Sequence, residues 1–465
     1  MKGRYIFQTN IRKGETINLS NNRKITHISL MLTEDCNFKC EYCFIKKNPQ
    51  RITWGIAKQA IDWLVNENKD SKEKMNINFF GGEPTLEWDM IEKIVAYGKN
   101  KSDRLTYGMT TNGSLLTKER MDYCERNNIG ILFSVDGPEH VQNIHRKTRS
   151  GEGTFDKIEN NMRECVKRGL SPTGRVTYTP DTLPYLFETV KYLFEDIGFK
   201  DVAPTPAVDS FKEFSAEDYK EYDRQFTMID EYFKDMIIAG KKPSLNYYGK
   251  CVRQIVRDEK MIGPCGAGKG YVGISIEGGL YPCHRFTQWP EWKIGDVWSG
   301  ITEKAMRDSL TNYNCNTNSK KCRECDNMFC GGTCLAASYN NTGSIHMPGK
   351  DACKLSMLQF KRAEKLLHEM KDFPQFREMF SQYIKQDRTG IFEKQIQDVY
   401  SNSKDTPTTQ TNNSIKKPSL ALINNRVNVL EVKLNEANKK LDDIRSLVGA
   451  LSNVVMDLVE GGDSR

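Results

Sequence analysis

Between residues 27 and 240, short apolar runs alternate with amphipathic helical patterns, and this alternation constrains the fold more than any other feature of the chain. HISLML (27–32), MNINFF (75–80), RLTYGMT (104–110), IGILFSV (129–135), GRVTYT (174–179) and DVAPTPAV (201–208) read as strands, being rich in β-branched and aromatic residues. Helical periodicity lies near 54–67, 86–99, 117–127, 154–168, 183–197 and 216–239. Such alternation implies a parallel sheet with right-handed crossovers. The expected class is α/β: a partial (β/α)6 barrel with its active groups at the C-terminal strand ends.

The 465 residues leave room for two or three domains, and 38 % hydrophobic with 28 % charged residues suits a globular protein. A net charge of +7 is too diffuse to argue for nucleic acid. No apolar run reaches the roughly 18 residues of a membrane span. MKGRYIFQTNIRKGE lacks the apolar stretch of a signal peptide, so a cytoplasmic location is expected. Disulfides are not expected in a reducing compartment, which leaves 14 cysteines to explain. Three lie at 36–43, and seven form a series between 265 and 353. Thiolates grouped this way hold zinc or iron–sulfur clusters. Cys124, Cys165, Cys251 and Cys315 stand outside these motifs, the first two read as buried and inert.

Residues 1–26 form an N-terminal extension, and 27–240 the barrel. Across 241–355 glycine and cysteine rise and helical periodicity fades, as in a small domain held by metal sites. Helical patterning returns at 356–400, and the polar segment 401–418 reads as a disordered linker. Within 419–461, Val427, Leu430, Leu434, Ala437, Leu441, Ile444, Val448, Leu451, Val455 and Leu458 alternate steps of three and four, the pattern of a coiled coil. It is expected to make an oligomer or to recruit a partner. An amphipathic helix folded back on the enzyme is the alternative.

Directly after the first strand, CNFKCEYCF places Cys36, Cys40 and Cys43 at C-x3-C-x2-C. Three thiolates on a four-iron cluster leave one iron without a protein ligand. A closed zinc site would need a fourth Cys or His. No histidine follows Cys43 within ten residues, and His27 sits at the far end of the strand. With Tyr42 before the last cysteine, the motif resembles that of the radical S-adenosylmethionine (SAM) enzymes. The resemblance implies that SAM chelates the open iron, and that one-electron reduction yields methionine and a 5′-deoxyadenosyl radical that abstracts hydrogen from an unreactive C–H bond. FFGGEPTL (79–86) also fits: Gly81 and Gly82 would let the backbone approach SAM, with Glu83 and Pro84 completing the motif. Asn112 in TTNGSLL, Ser134 and Asp136 in FSVDGP, and Arg175 on the fifth strand are the further SAM candidates. Ser134 and Asp136 have an ordinary Ser/Asp turn as their alternative reading, equal in weight for Asp136, and Arg175 has that of a surface arginine. HRKTRSGEGTF (145–155) matches the family pattern as well.

Cys265, Cys283, Cys322, Cys325, Cys330, Cys334 and Cys353, with GGLYPC at 278–283, resemble the SPASM extension of radical SAM peptide-modifying enzymes. The two resemblances span roughly two thirds of the chain. One spacing departs from the family by a residue, with four between Cys325 and Cys330. The family's arrangement implies three [4Fe–4S] clusters. Cys322, Cys325, Cys330 and Cys353 would close one auxiliary cluster. Cys265, Cys283 and Cys334 would hold the other, with Cys251, less readily Cys315, or an open position as the fourth corner. Two zinc ribbons in a scaffold or nucleic-acid adaptor are the reading from another class.

Sulfatase-maturating relatives place an aspartate base directly after the second SPASM cysteine, where this chain has His284. A histidine could accept a proton, but the departure shifts weight to maturases of ribosomally made peptides. The expected reaction is a thioether crosslink from cysteine sulfur. Formylglycine formation, carbon–carbon crosslinking, epimerisation and backbone excision are alternatives. The expected partners are a peptide substrate and an electron donor such as flavodoxin or ferredoxin, with no nucleic acid or membrane. Only 26 residues precede the first strand, so leader recognition is expected from a separate protein or from the C-terminal helix.

Overall fold

All six expected strands form: β1 (His27–Thr33), β2 (Met75–Gly81), β3 (Leu105–Thr111), β4 (Ile129–Ser134), β5 (Thr173–Tyr178) and β6 (Asp201–Pro206). The computed structural model describes residues 24–392 apart from 208–210, 319, 388 and 390. Most of the expected N-terminal extension, and all of the linker and coiled coil, lie outside the described residues. β1 to β6 pair in chain order, every pair parallel, and β7 (Ser244–Leu245) adds to β6. The sheet has an edge strand at each end, so the fold is a partial barrel of α/β class.

The crossovers carry α1 (Trp54–Glu67), α2 (Trp88–Lys101), α3 (Lys118–Arg126), α4 (Glu139–His145), α5 (Glu159–Lys167), α6 (Leu186–Tyr192) and α7 (Ala216–Ile238). α1 shows why these segments are helical. Thr53 caps its first turn, and Ala57, Ala60, Ile61 and Leu64 recur on one buried face. In β2 to β5 every second residue is buried, and those between are half-buried. The half-buried set is largely polar and bonds across the strands, Asn78 Nδ2 donating to Ser29 Oγ (3.2 Å) and Asn76 Nδ2 to Thr106 Oγ1 (3.1 Å). A face with such residues differs from the apolar packed interior of a closed barrel.

The cysteine-rich region continues this sheet. β8 (Tyr271–Ile274) pairs in parallel with the free edge of β1, and β9 (Gly279–Tyr281), β10 (Gly295–Asp296) and β11 (Gly300–Ile301) follow antiparallel. Helical structure does not fade there as expected, because α8 spans Asn246–Arg257. Its buried stripe of Tyr247, Tyr248, Cys251, Val252, Ile255 and Val256 has a β-like composition that conceals a helical period. α8 packs against the helix Lys350–Met370 and against β6. Among the described residues, no helix is long and apolar enough to cross a membrane.

Candidate active site

The loop carrying Cys36, Cys40 and Cys43 leaves the C-terminal end of β1 and is held in place by its neighbours. Cys36 is buried, whereas Cys40 and Cys43 are half-buried. Phe38 N–H donates to Cys36 Sγ (3.3 Å), and Asn112 Nδ2 approaches the same sulfur at 3.9 Å. Arg146 Nη1 lies 3.9 Å from Cys40 Sγ. Burial pushes the Cys36 thiol up to about 12 and raises Cys40 despite Arg146. Iron uptake by these neutral thiols would therefore release protons.

Segment 145–149 clamps the loop. Lys39 N–H donates to Lys147 O (2.7 Å), and Glu41 N–H to His145 O (3.1 Å). Glu41 also meets His145 Nδ1 (2.8 Å) and Lys147 Nζ (2.9 Å). Arg149 Nε donates to Cys36 O (2.8 Å), and its guanidinium pairs with Asp35. The sequence motif HRKTRS flagged this segment without its clamping role, since its partners lie over a hundred residues upstream.

The expected SAM residues divide into two groups. Tyr42, Glu83 and Asp136 are already committed within the chain. Asp136, 2 % exposed, accepts from Arg146 Nη2 (3.0 Å), whose Nε stands 2.9 Å away in the same ion pair, from Thr177 N–H (3.0 Å) and from the Tyr42 hydroxyl. Glu83, 1 % exposed, accepts from Thr85 N–H (3.0 Å), Thr85 Oγ1 (2.6 Å), Thr111 Oγ1 (2.7 Å) and Asn112 N–H (2.7 Å). Burial raises its pKa against these four donors. Glu83 thus ties the β2 loop to the end of β3 and positions Asn112 beside Cys36.

Gly81 and Gly82 were expected to let backbone approach a ligand. The close approach is instead to the cysteine loop: a Cβ on Gly82 would stand 2.0 Å from Asp35 O, and one on Gly81 2.3 Å from Thr33 O. Gly82 N–H and Glu83 N–H donate to those same two carbonyls (2.9 and 2.8 Å), so these amides are not free. Pro84 is buried at the start of a short 3-10 turn.

Ser134 and Arg175 form the second group. They face each other across β4 and β5, half-buried, on the polar side of the sheet. No protein hydrogen bond to the Ser134 hydroxyl occurs among the described residues. Arg175 donates to Thr205 Oγ1, makes no ion pair among them, and has Asp136 as an electrostatic neighbour. Burial and the nearby Arg285 lower it to about 10. Arg175 is an interior residue, not a surface one.

The auxiliary cysteines gather in two groups. Cys265, Cys283 and Cys334 are mutual electrostatic neighbours. Cys353 neighbours Cys322, Cys325 and Cys330, and Cys315 neighbours Cys322 and Cys330. Cys315 therefore sits with the second group, not the first. Cys251 joins neither: it is 0 % exposed in the hydrophobic core, with Tyr222 and Tyr247 as neighbours. Among the described residues, no three Cys, His, Asp or Glu side chains converge on a single-ion site. A four-iron cluster, bound by one thiolate per iron, takes sulfurs set further apart. Soft thiols with N–H donors to Cys36 and Cys40 are a donor set that fits such a cluster.

His284 follows Cys283 with its ring against Phe80 (4.4 Å between centroids) and Phe44 (5.9 Å). Its Nδ1 shares a hydrogen bond with the Tyr271 hydroxyl. Burial and Arg175 push its pKa down to about 4, which makes it a weak base at neutral pH. Tyr271, a neighbour of Cys283 and Cys265, had no sequence signal.

Residues 30–197 match the Radical SAM superfamily. The chain is 25 % identical over 368 residues to the radical SAM cyclopropyl synthase TigE of Paramaledivibacter caminithermalis, covering 73 % of this chain and 74 % of that protein. It is 23 % identical over 296 residues to a cysteine-type anaerobic sulfatase-maturating enzyme of Clostridium perfringens, covering 60 % of this chain and 78 % of the relative. The fold is similar to that of native anSMEcpe with bound AdoMet and Cp18Cys peptide, with TM-score 0.62 and 18 % identity over 77 % of this chain and 99 % of the other. The chain thus carries a Radical SAM domain over residues 30–197.

Proposed function

We propose that this radical SAM enzyme modifies a ribosomally made peptide by crosslinking a cysteine sulfur to a carbon of the same peptide. The observation that carries the reading is the three-membered group Cys265, Cys283 and Cys334, with Cys251 buried elsewhere and Cys315 among the other cysteines. That arrangement favours an auxiliary cluster with one corner free of chain ligands, the condition under which a substrate thiolate can be held. When bound, SAM on the first cluster supplies a 5′-deoxyadenosyl radical for hydrogen abstraction, and an open auxiliary iron supplies a seat for sulfur.

The chain's residues do the positioning. Cys36, Cys40 and Cys43 would hold the SAM cluster; Cys322, Cys325, Cys330 and Cys353 would hold the closed auxiliary one. Ser134 and Arg175 are the groups left available to SAM, the guanidinium suiting its carboxylate. Glu83, Asp136 and Tyr42 brace the loop around it. The Gly81–Gly82 carbonyls remain candidates for its amino group. Reduction calls for an external one-electron donor of flavodoxin or ferredoxin type.

Formylglycine formation is the second reading, favoured by similarity to a sulfatase-maturating enzyme. Against it stands His284 where those enzymes carry an aspartate base. Co-expression with a short Cys-containing peptide encoded beside this protein, followed by mass spectrometry, separates the two. A thioether retains the sulfur and loses two hydrogens, with the cysteine protected from alkylation. Loss of the sulfur, or an unchanged peptide, contradicts the proposal.

A further inference from the structure

Tyr42 occupies a tight turn between two of the three cysteines of the first loop, Cys43 N–H donating to Cys40 O (3.2 Å). A displacement of Tyr42 therefore reaches both sulfurs. Its hydroxyl donates to Asp136, Arg146 lies over its ring 5.4 Å from the centroid, and the His145 ring meets it at 5.9 Å and 72°. All three of these residues come from the segment between β4 and β5.

One further ring arrives from elsewhere. Phe211 follows β6 and stands 6.1 Å from the Tyr42 ring at 88° and 5.2 Å from the His145 ring at 87°. β2 to β5 lie between β1 and β6 in the sheet, so this contact crosses the mouth of the partial barrel, at the C-terminal strand ends. Each of the three rings meets the other two edge to face, the arrangement that aromatic pairs favour.

The segment carrying Phe211 is anchored without it. Ala207 N–H donates to Tyr178 O (2.9 Å), Phe214 N–H donates to Asp351 Oδ2 (3.1 Å), and the Phe214 side chain is buried beside Tyr178. Lys212 adds an exposed ion pair with Asp181. The half-buried Phe211 ring packs on the cysteine turn.

We infer that Phe211 is a positioning residue of the SAM site: it clamps the Tyr42 ring against His145 and Arg146 and so fixes the turn between Cys40 and Cys43 around which SAM would bind. This rests on the assignment of Cys36, Cys40 and Cys43 to the SAM cluster. The thiols themselves do not depend on Phe211, so its loss separates cluster assembly from SAM binding.

The test uses anaerobically reconstituted full-length enzyme with SAM as the probe. Phe211→Ala is expected to keep the wild-type iron content and to bind SAM roughly tenfold more weakly. The change that SAM induces in the paramagnetic signal of the reduced cluster is expected to be altered in the same variant. Phe211→Tyr, which keeps the ring, is expected to restore affinity and signal to within about twofold of wild type, and Lys212→Gln, which removes only an exposed ion pair, to stay within the same range. Circular dichroism melting checks that each variant folds, and Phe211→Leu, of similar bulk without the ring, takes the place of alanine if that variant does not. Wild-type affinity and signal in the ring-less variant, loss of its iron, an equal loss in Lys212→Gln, or no recovery in folded Phe211→Tyr overturns the inference. Wild-type enzyme that shows no SAM-dependent signal counts against the cluster assignment, whereas an unaffected Phe211→Ala beside a responsive wild type counts only against Phe211.

Discussion

Replacing Arg146 by methionine is expected to destabilise the protein by about 3–5 kcal/mol, because it leaves a buried carboxylate without its partner. Asp136 and Arg146 are 2 % and 5 % exposed, and the guanidinium meets both carboxylate oxygens at 2.9 and 3.0 Å. Arg146 also lies over the Tyr42 ring, 5.4 Å from its centroid, and beside Cys40 Sγ. Tyr42 and Thr177 would still donate to Asp136, but neither brings positive charge. The double variant Asp136→Leu/Arg146→Met removes both charges and is expected to regain part of the loss, as buried pairs replaced by apolar residues often do. Urea unfolding of the two single variants and the double closes the cycle. A loss below about 1 kcal/mol in Arg146→Met would place the pair among weak surface-type ion pairs and remove its bracing role.

The second large effect concerns iron and catalysis together. Substituting Cys36, Cys40 and Cys43 by alanine is expected to remove about four irons per chain and abolish 5′-deoxyadenosine formation, leaving roughly seven or eight irons on the auxiliary cysteines. Of the three, only Cys36 is fully buried, so the cost in stability is limited to the space its sulfur leaves. Cys124, 0 % exposed with its pKa raised by burial alone to about 12, is the control. Cys124→Ala is expected to keep both iron and activity. An iron content unchanged by the triple substitution, or cleavage of SAM that survives it, contradicts the assignment of this loop.

The barrel was legible because its information is local. Period-two and period-3.6 patterns within 240 residues mark β1 to β6 and most crossover helices to within a few residues. The pairing of β8 with β1 was not legible, since it joins His27 to Tyr271 across the whole barrel. α8 was missed because tyrosine, valine and cysteine fill its buried stripe. The cysteines of the first loop are close in sequence and so could be grouped from it. The roles of Glu83 and Asp136 could not, as their donors come from β3, β5 and segment 145–149. A carboxylate after a strand end looks available until the elements that saturate it are in place. The same holds for Gly81 and Gly82, whose partner is the backbone of Thr33 and Asp35. Cys251 was a candidate on residue type alone, and its neighbours Tyr222 and Tyr247 could not be read from the sequence.

The central claim is that Cys36, Cys40 and Cys43 leave one iron open to SAM. Electron paramagnetic resonance of anaerobically prepared, dithionite-reduced protein tests it most directly. The account predicts a paramagnetic cluster signal that shifts when SAM is added and is missing from the triple-alanine variant. A signal that SAM leaves unchanged, or that persists in that variant with its shift intact, would contradict it.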